Sequence, residues 1–155
     1  MRKMMAGILL VAVLLSGCSN IMADIYDNEN KIVSDTNSFN LNGIEQEIEG
    51  NNYNASIERM EGMDTIWTLD AEEETTIEIA HDITLHNGKV KVVLISSDGE
   101  LTTLAECVSD KDNSSDTTSL SLPQGEYRIK IIAGENTKFD ISLSITDGSF
   151  HELGL

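Results

Sequence analysis

From Phe39 onward the apolar residues of this chain recur at every second position. Only an extended backbone places residues i, i+2 and i+4 on one face, so this period commits the segment to β-structure. Phe139, Ile141, Leu143 and Ile145 alternate with Asp140, Ser142 and Ser144, and Ile77, Ile79, Ile83 and Leu85 alternate with polar neighbours. Tyr53, Ala55 and Ile57 repeat the pattern, as do Tyr127, Ile129, Ile131 and Ala133. Turn signals separate these runs: Glu49-Gly50-Asn51-Asn52, Asn87-Gly88, Ser97-Asp98-Gly99, Pro123-Gln124-Gly125 and Gly134-Glu135-Asn136. Gly and Asn there supply the left-handed backbone that tight turns need.

The expected fold class is therefore all-β: one antiparallel, jelly-roll-like β-sandwich of about seven to nine strands over residues 39–147, with an eight-residue tail at 148–155. The spacing predicts a break between strands near Glu61-Gly62 and a bend or bulge at His81-Asp82. It also predicts a last hairpin closed by Gly134–Asn136, and a long polar loop over Ser109–Thr118. The alternation puts Trp67 with Leu69, and Cys107 with Leu101 and Ala105, on buried faces.

The N-terminus follows another rule. Arg2 and Lys3 precede an apolar run from Met4 to Leu15, then small residues, which is the outline of a secretory signal peptide and too short to span a bilayer comfortably. Leu15-Ser16-Gly17-Cys18 resembles the lipobox of bacterial lipoproteins. The resemblance implies cleavage between Gly17 and Cys18, a diacylglyceryl group on the Cys18 thiol, and a protein held on the extracytoplasmic face of the bacterial cell membrane. Two acyl chains anchor stably where one does so only marginally. Residues 18–38, rich in Asn, Asp and Ser, read mainly as a tether, with a short strand or helical turn around Ile25 or Ile32.

Charge narrows the partners. The chain carries 27 Asp+Glu against 10 Lys+Arg, a net −17, and losing Arg2 and Lys3 with the signal takes the body to −19. Such a field repels nucleic acid. With Cys18 lipidated, Cys107 has no disulfide partner.

The second half carries Asp98-Gly99, then Pro123, Gly125 and Tyr127 ahead of alternating β-branched residues. It resembles the pre-peptidase C-terminal domains of secreted bacterial enzymes and related jelly-roll modules, and the chain is similar to small lipoproteins of Gram-positive bacteria. The resemblance implies a scaffold without a catalytic group.

Site chemistry is thin. Asp110, Asp112 and Asp116 have a spacing faintly like the first half of a calcium loop, without its glycine or its closing glutamate; a solvated loop is preferred. His81 and His86, five apart, point to opposite faces of a strand, so no zinc site and no cofactor is expected. No Gly-x-Ser-x-Gly elbow or defensible Ser/His/Asp set occurs, and carboxylate pairs such as Glu45/Glu47 come with the acidity. Trp67, Tyr53 and Tyr26 are the aromatics that could meet a ligand, with the core preferred for Trp67. The expectation is a membrane-anchored, non-enzymatic binding or envelope-structural module. Its partners are the bilayer, through diacylglyceryl-Cys18, and an extracellular glycan, peptide or protein. The alternative is an accessory subunit of a neighbouring membrane or secreted complex.

Overall fold

Two strands of unusual length set the architecture. The computed structural model describes residues 20–109 and 112–155, and its antiparallel strands are β1 (Ser38–Glu49), β2 (Asn52–Ala71), β3 (Thr75–Asn87), β4 (Val90–Ser96), β5 (Leu101–Cys107), β6 (Asn113–Leu122), β7 (Gly125–Ile145) and β8 (Ser149–Phe150). β2 and β7 pair along their whole lengths, from Asn52↔Ser144 to Ala71↔Gly125. Each crosses from one layer to the other. Sheet I runs β1, the first half of β2, the second half of β7, β3, β6. Sheet II holds the second half of β2, the first half of β7, β4 and β5, with β8 on β2.

The crossing point is a corner at Met60–Gly62 and Ala133–Thr137, where the register shifts. Gly62 has φ +98, and a Cβ there would lie 2.1 Å from the Ser38 carbonyl oxygen. Asn136, the neighbouring irregularity in β7, has φ +50. Bulges side by side in adjacent strands bend both at one place, which is how a strand changes sheets. The sequence expectation of a break at Glu61-Gly62 and a hairpin at Gly134–Asn136 is thus corrected: the chain bends there and continues. The bulge expected at His81-Asp82 is also corrected. β3 is regular through both residues and shifts register at Leu85/Asn87.

The inner faces meet in one core that includes Tyr53, Ile57, Ile79, Ile83, Trp67, Val92, Ile131, Phe139 and Ile141. A bulge at Val92/Val93 corrects the placing of Leu101 with Ala105 and Cys107, for Leu101 packs on the opposite side of the sheet. Cys107 is a buried free thiol whose pKa burial pushes up, which keeps it unreactive.

The outer face of sheet II is covered. A 3-10 turn at Ala23–Asp27 and a helical turn at Glu29–Ile32, both where apolar residues interrupt the polar stretch, insert Ile25, Tyr26 and Ile32 against Met63, Val93, Ile95 and Ile132. Lys130, fully buried, donates from Nζ to the carbonyl oxygens of Ser34 (2.7 Å) and Thr36 (2.9 Å). Arg128 donates to the carbonyls of Val33 and Ser34 and pairs with Asp35. From Asn20 to Thr36 the chain is thus a strap rather than a loose tether.

Burial, then the charge of Arg128, pushes the Lys130 pKa down to about 8, below the ordinary 10.5. A lysine depressed on folding penalises the fold while charged, so stability rises as pH climbs from 8. Above about 10 the buried phenols of Tyr26 and Tyr53, raised by burial, pull the other way. Thermal unfolding of the wild type should therefore shift upward between pH 8 and 10, and Lys130→Met should flatten that rise. An unchanged slope would show that Lys130 does not titrate there.

Candidate functional site

The best-formed concavity opens at the end of sheet II farthest from the corner. It lies between the β4–β5 turn, the edge of β6 and the Pro123–Tyr127 turn, and encloses about 430 Å³. Leu94, Leu120, Leu122 and the Tyr127 ring make an apolar floor, ringed by Ser96, Thr102, Ser121, Gln124, Asp98 and Glu100. Each wall follows from local sequence. β4 and β6 alternate and so send Leu94 and Leu122 inward, while Gly99 (φ +82) lets the hairpin turn tightly. The Tyr127 hydroxyl donates to the Pro123 carbonyl at 2.8 Å, which fixes the ring at the mouth. Ser96 Oγ donates to the Asp98 carboxylate and holds its pKa below the usual range, so Asp98 is an anion ready to accept hydrogen bonds. An apolar floor with a few convergent polar groups is the ordinary form of a small-ligand site.

A wider groove of about 700 Å³ lies on the bare outer face of sheet I, lined by Glu45, Glu47, Asn54, Ser56, Asp82 and Asp140 among others. Despite its size it is shallow and polar, and it buries little. Among the described residues, the groove and its edge contain the one grouping that resembles hydrolase machinery. Ser56 Oγ donates to Asp140 Oδ1 (2.6 Å), and His86 Nε2 is 2.7 Å from Asp140 Oδ2. These bonds hold the Asp140 carboxyl below its ordinary pKa. In a nucleophilic triad the imidazole stands between hydroxyl and carboxylate; here the carboxylate stands between the other two, so no base reaches Ser56.

The residues singled out from sequence are scattered. Trp67 is fully buried and donates from Nε1 to the Asp147 carbonyl at 3.0 Å. Tyr53 is fully buried too, stacked on Phe150 with centroids 5.7 Å apart, its hydroxyl donating to Gln46. Tyr26 lies under the strap, its hydroxyl donating to Glu106 (2.8 Å) and its ring flanked by the Nζ atoms of Lys89 and Lys91. None presents a face to a ligand: Trp67 takes the core role preferred for it, and the weaker candidacy of Trp67 and Tyr53 for binding is corrected, since both rings are fully buried. Of the oxygen cluster, Asp116 stands in β6 opposite His81, carried away from Asp112 by extended backbone, so those two carboxylates do not converge. Asp110, Gly17 and Cys18 lie outside the described residues. His81 is buried and bonded to Ser114, whereas His86 is exposed. Among the described residues no helix is long and apolar enough to cross a membrane.

Sequence reasoning passed over the cleft because its walls come from two separate turns and a strand edge. The only signal was Pro123-x-Gly125-x-Tyr127, which reads equally well as structure.

No family model matches the chain, and no curated protein matches it. Among solved structures it is similar to a carbohydrate-binding module of Cellvibrio mixtus lichenase 5A in complex with cellotriose, at 12% identity over 84% of this chain and 95% of that one, TM-score 0.37. It is also similar to a CBM4 module (12% identity, 74% and 76% covered, TM-score 0.39) and to murine APRIL (12% identity, 68% and 94% covered, TM-score 0.33). Nothing about a ligand or partner passes from these likenesses to this chain.

Proposed function

We propose that this chain is a non-enzymatic binding module, displayed outside the bacterial cell on a diacylglyceryl-Cys18 anchor, that takes a neutral or amino sugar in its end cleft. The observation that carries the reading is the cleft itself. A sugar ring offers a C–H face to Leu94, Leu122 and Tyr127, and hydroxyl or ammonium groups to Asp98, Glu100, Thr102 and Gln124. The acidic rim turns away anionic ligands. The anchor rests on the signal-like N-terminus and the Leu15–Cys18 box.

The cleft is tested on a glycan array with residues 20–155, followed by titration of Thr102→Trp. Thr102 is exposed on an edge strand, and an indole there fills the cavity. A neutral or amino glycan should bind the wild type, and Thr102→Trp should weaken it at least about tenfold, equivalent to about 1.4 kcal/mol. Ser56→Ala, on the other sheet, should leave binding unchanged. A blank array, or a ligand indifferent to Thr102→Trp, would sink the reading. The anchor is tested separately: Cys18→Ala should abolish both incorporation of labelled fatty acid and cleavage.

A further inference from the structure

We propose that the corner end of the sandwich rests directly on the lipid bilayer and holds the opposite, acidic end outward; this rests on the anchor reading above. Three independent features converge on that end.

The first is where the chain leaves. Asn20 is fastened to the corner by its Nδ2 bond to Glu61 Oε2 at 3.1 Å. Only Ser19 separates it from Cys18, so the Cα that carries the lipid is within about 8 Å of the Asn20 Cα, at 3.8 Å per residue step. Because residues after Asn20 are strapped to sheet II, they supply no further reach. A body tethered that closely cannot stand off the membrane.

The second is apolar exposure. Among the described residues, three large hydrophobic side chains are exposed: Ile21 (64%), Val108 (59%) and Leu155 (93%). The register brings all three to the corner end. Ile21 follows Asn20; Val108 follows Cys107, which pairs across Val90 to Ala133 beside Gly62; and Leu155 follows Gly154, whose N–H donates to Asp64. Exposed apolar side chains gathered at one end gain free energy by entering a headgroup–acyl boundary.

The third is charge. At the corner Arg59, Lys89 and Lys138 pair with Glu61, Asp27 and Glu58, which leaves Glu135 and buried Asp64, so that end carries fewer unpaired carboxylates than the other. At the other end Asp70, Glu72, Glu73, Glu74, Asp98, Glu100 and Glu126 occur with no cation in the same turns. An anionic leaflet repels that end more than the corner, so the field sets the same orientation as the leash. The cleft, whose Tyr127 lies opposite Leu69, about seven residues along β2 from Gly62 and thus about 23 Å away, faces outward.

The test couples the chain from Cys18 onward, through the Cys18 thiol and with Cys107 buried, to maleimide-lipid in phosphatidylcholine/phosphatidylglycerol vesicles with brominated acyl chains. Chemical coupling makes the result independent of lipidation in the cell, so the anchor reading and this one fail separately. One variant carries Val108→Trp at the corner end and another Glu73→Trp at the acidic end; buried Trp67 is common to both. The added emission of Val108→Trp should be strongly quenched and that of Glu73→Trp retained. Quenching of both, of neither, or of Glu73→Trp alone would overturn the proposal.

Discussion

Trp67→Ala should lower the unfolding free energy by about 4 kcal/mol, in the range for deleting a fully buried tryptophan. Against a domain stability of about 5–15 kcal/mol, that is about a quarter or more of the total. The size follows from how the ring is enclosed. Trp67 has no exposed surface, its Nε1 is satisfied by the Asp147 carbonyl, and Gly148 lies so close that a Cβ there would come within 2.4 Å of the indole. The Asp147-Gly148 turn closes over the ring like a plate, with Gly148 at φ +81, so removing the ring leaves a cavity that the turn cannot collapse into. Urea unfolding followed by far-ultraviolet circular dichroism measures the loss. A cost below about 1 kcal/mol would mean that the indole is not core.

Glu61→Ala should cost about 3 kcal/mol, as expected when a buried charge network loses its centre. Glu61 is 2% exposed, and its carboxylate gathers Arg59 and the Asn136 N–H on Oε1, with Asn20 and Asn40 on Oε2. It therefore ties β1, the bent strands β2 and β7, and the start of the strap to one point. Burial pushes this carboxyl upward, but the bonds from Asn20, Arg59, Asn136 and Asn40 together outweigh it and hold the pKa below the ordinary 4.5. The sign follows: a carboxylate depressed on folding stabilises the fold above its unfolded pKa, and that part is lost as pH falls through the folded value. Wild type and Glu61→Ala should thus differ most near neutrality and converge in acid. Glu61→Gln, which keeps the shape and some of the bonds, should lie between them. Hydrogen exchange at residues 20–36 should speed up in the alanine variant, because the strap loses its first fastening. A difference that stayed constant down to pH 2 would contradict the charged role.

Much of the fold was legible because alternation is a local property. The strands around Tyr53, Ile79, Ile131 and Ile141 bury the residues that their period predicts, and Asn87-Gly88 and Asp98-Gly99 turn where expected. Errors collected where a local signal has two tertiary outcomes. Gly62 and Gly134–Asn136 permit a hairpin or a bulge with equal ease, and only their lying side by side in paired strands turns both into a shared bend. The strap was half visible, since Ile25-Tyr26 and Ile32-Val33 are apolar pairs in a polar stretch. Nothing local says that Lys130 and Arg128, about a hundred residues on, would hold its carbonyls.

The sequence by itself determined the all-β class, the acidity and the polar character of the sheet I face, because these depend on residue type and period alone. The tertiary structure decided that Trp67, Tyr53 and Tyr26 are interior and that the polar N-terminal stretch is bound to sheet II. It also decided that the β4–β5 turn, the edge of β6 and the Pro123–Tyr127 turn enclose one cleft at the end of sheet II opposite the corner. Those facts depend on which strands pair and where two of them bend, and pairing between distant segments leaves no periodic trace in either one.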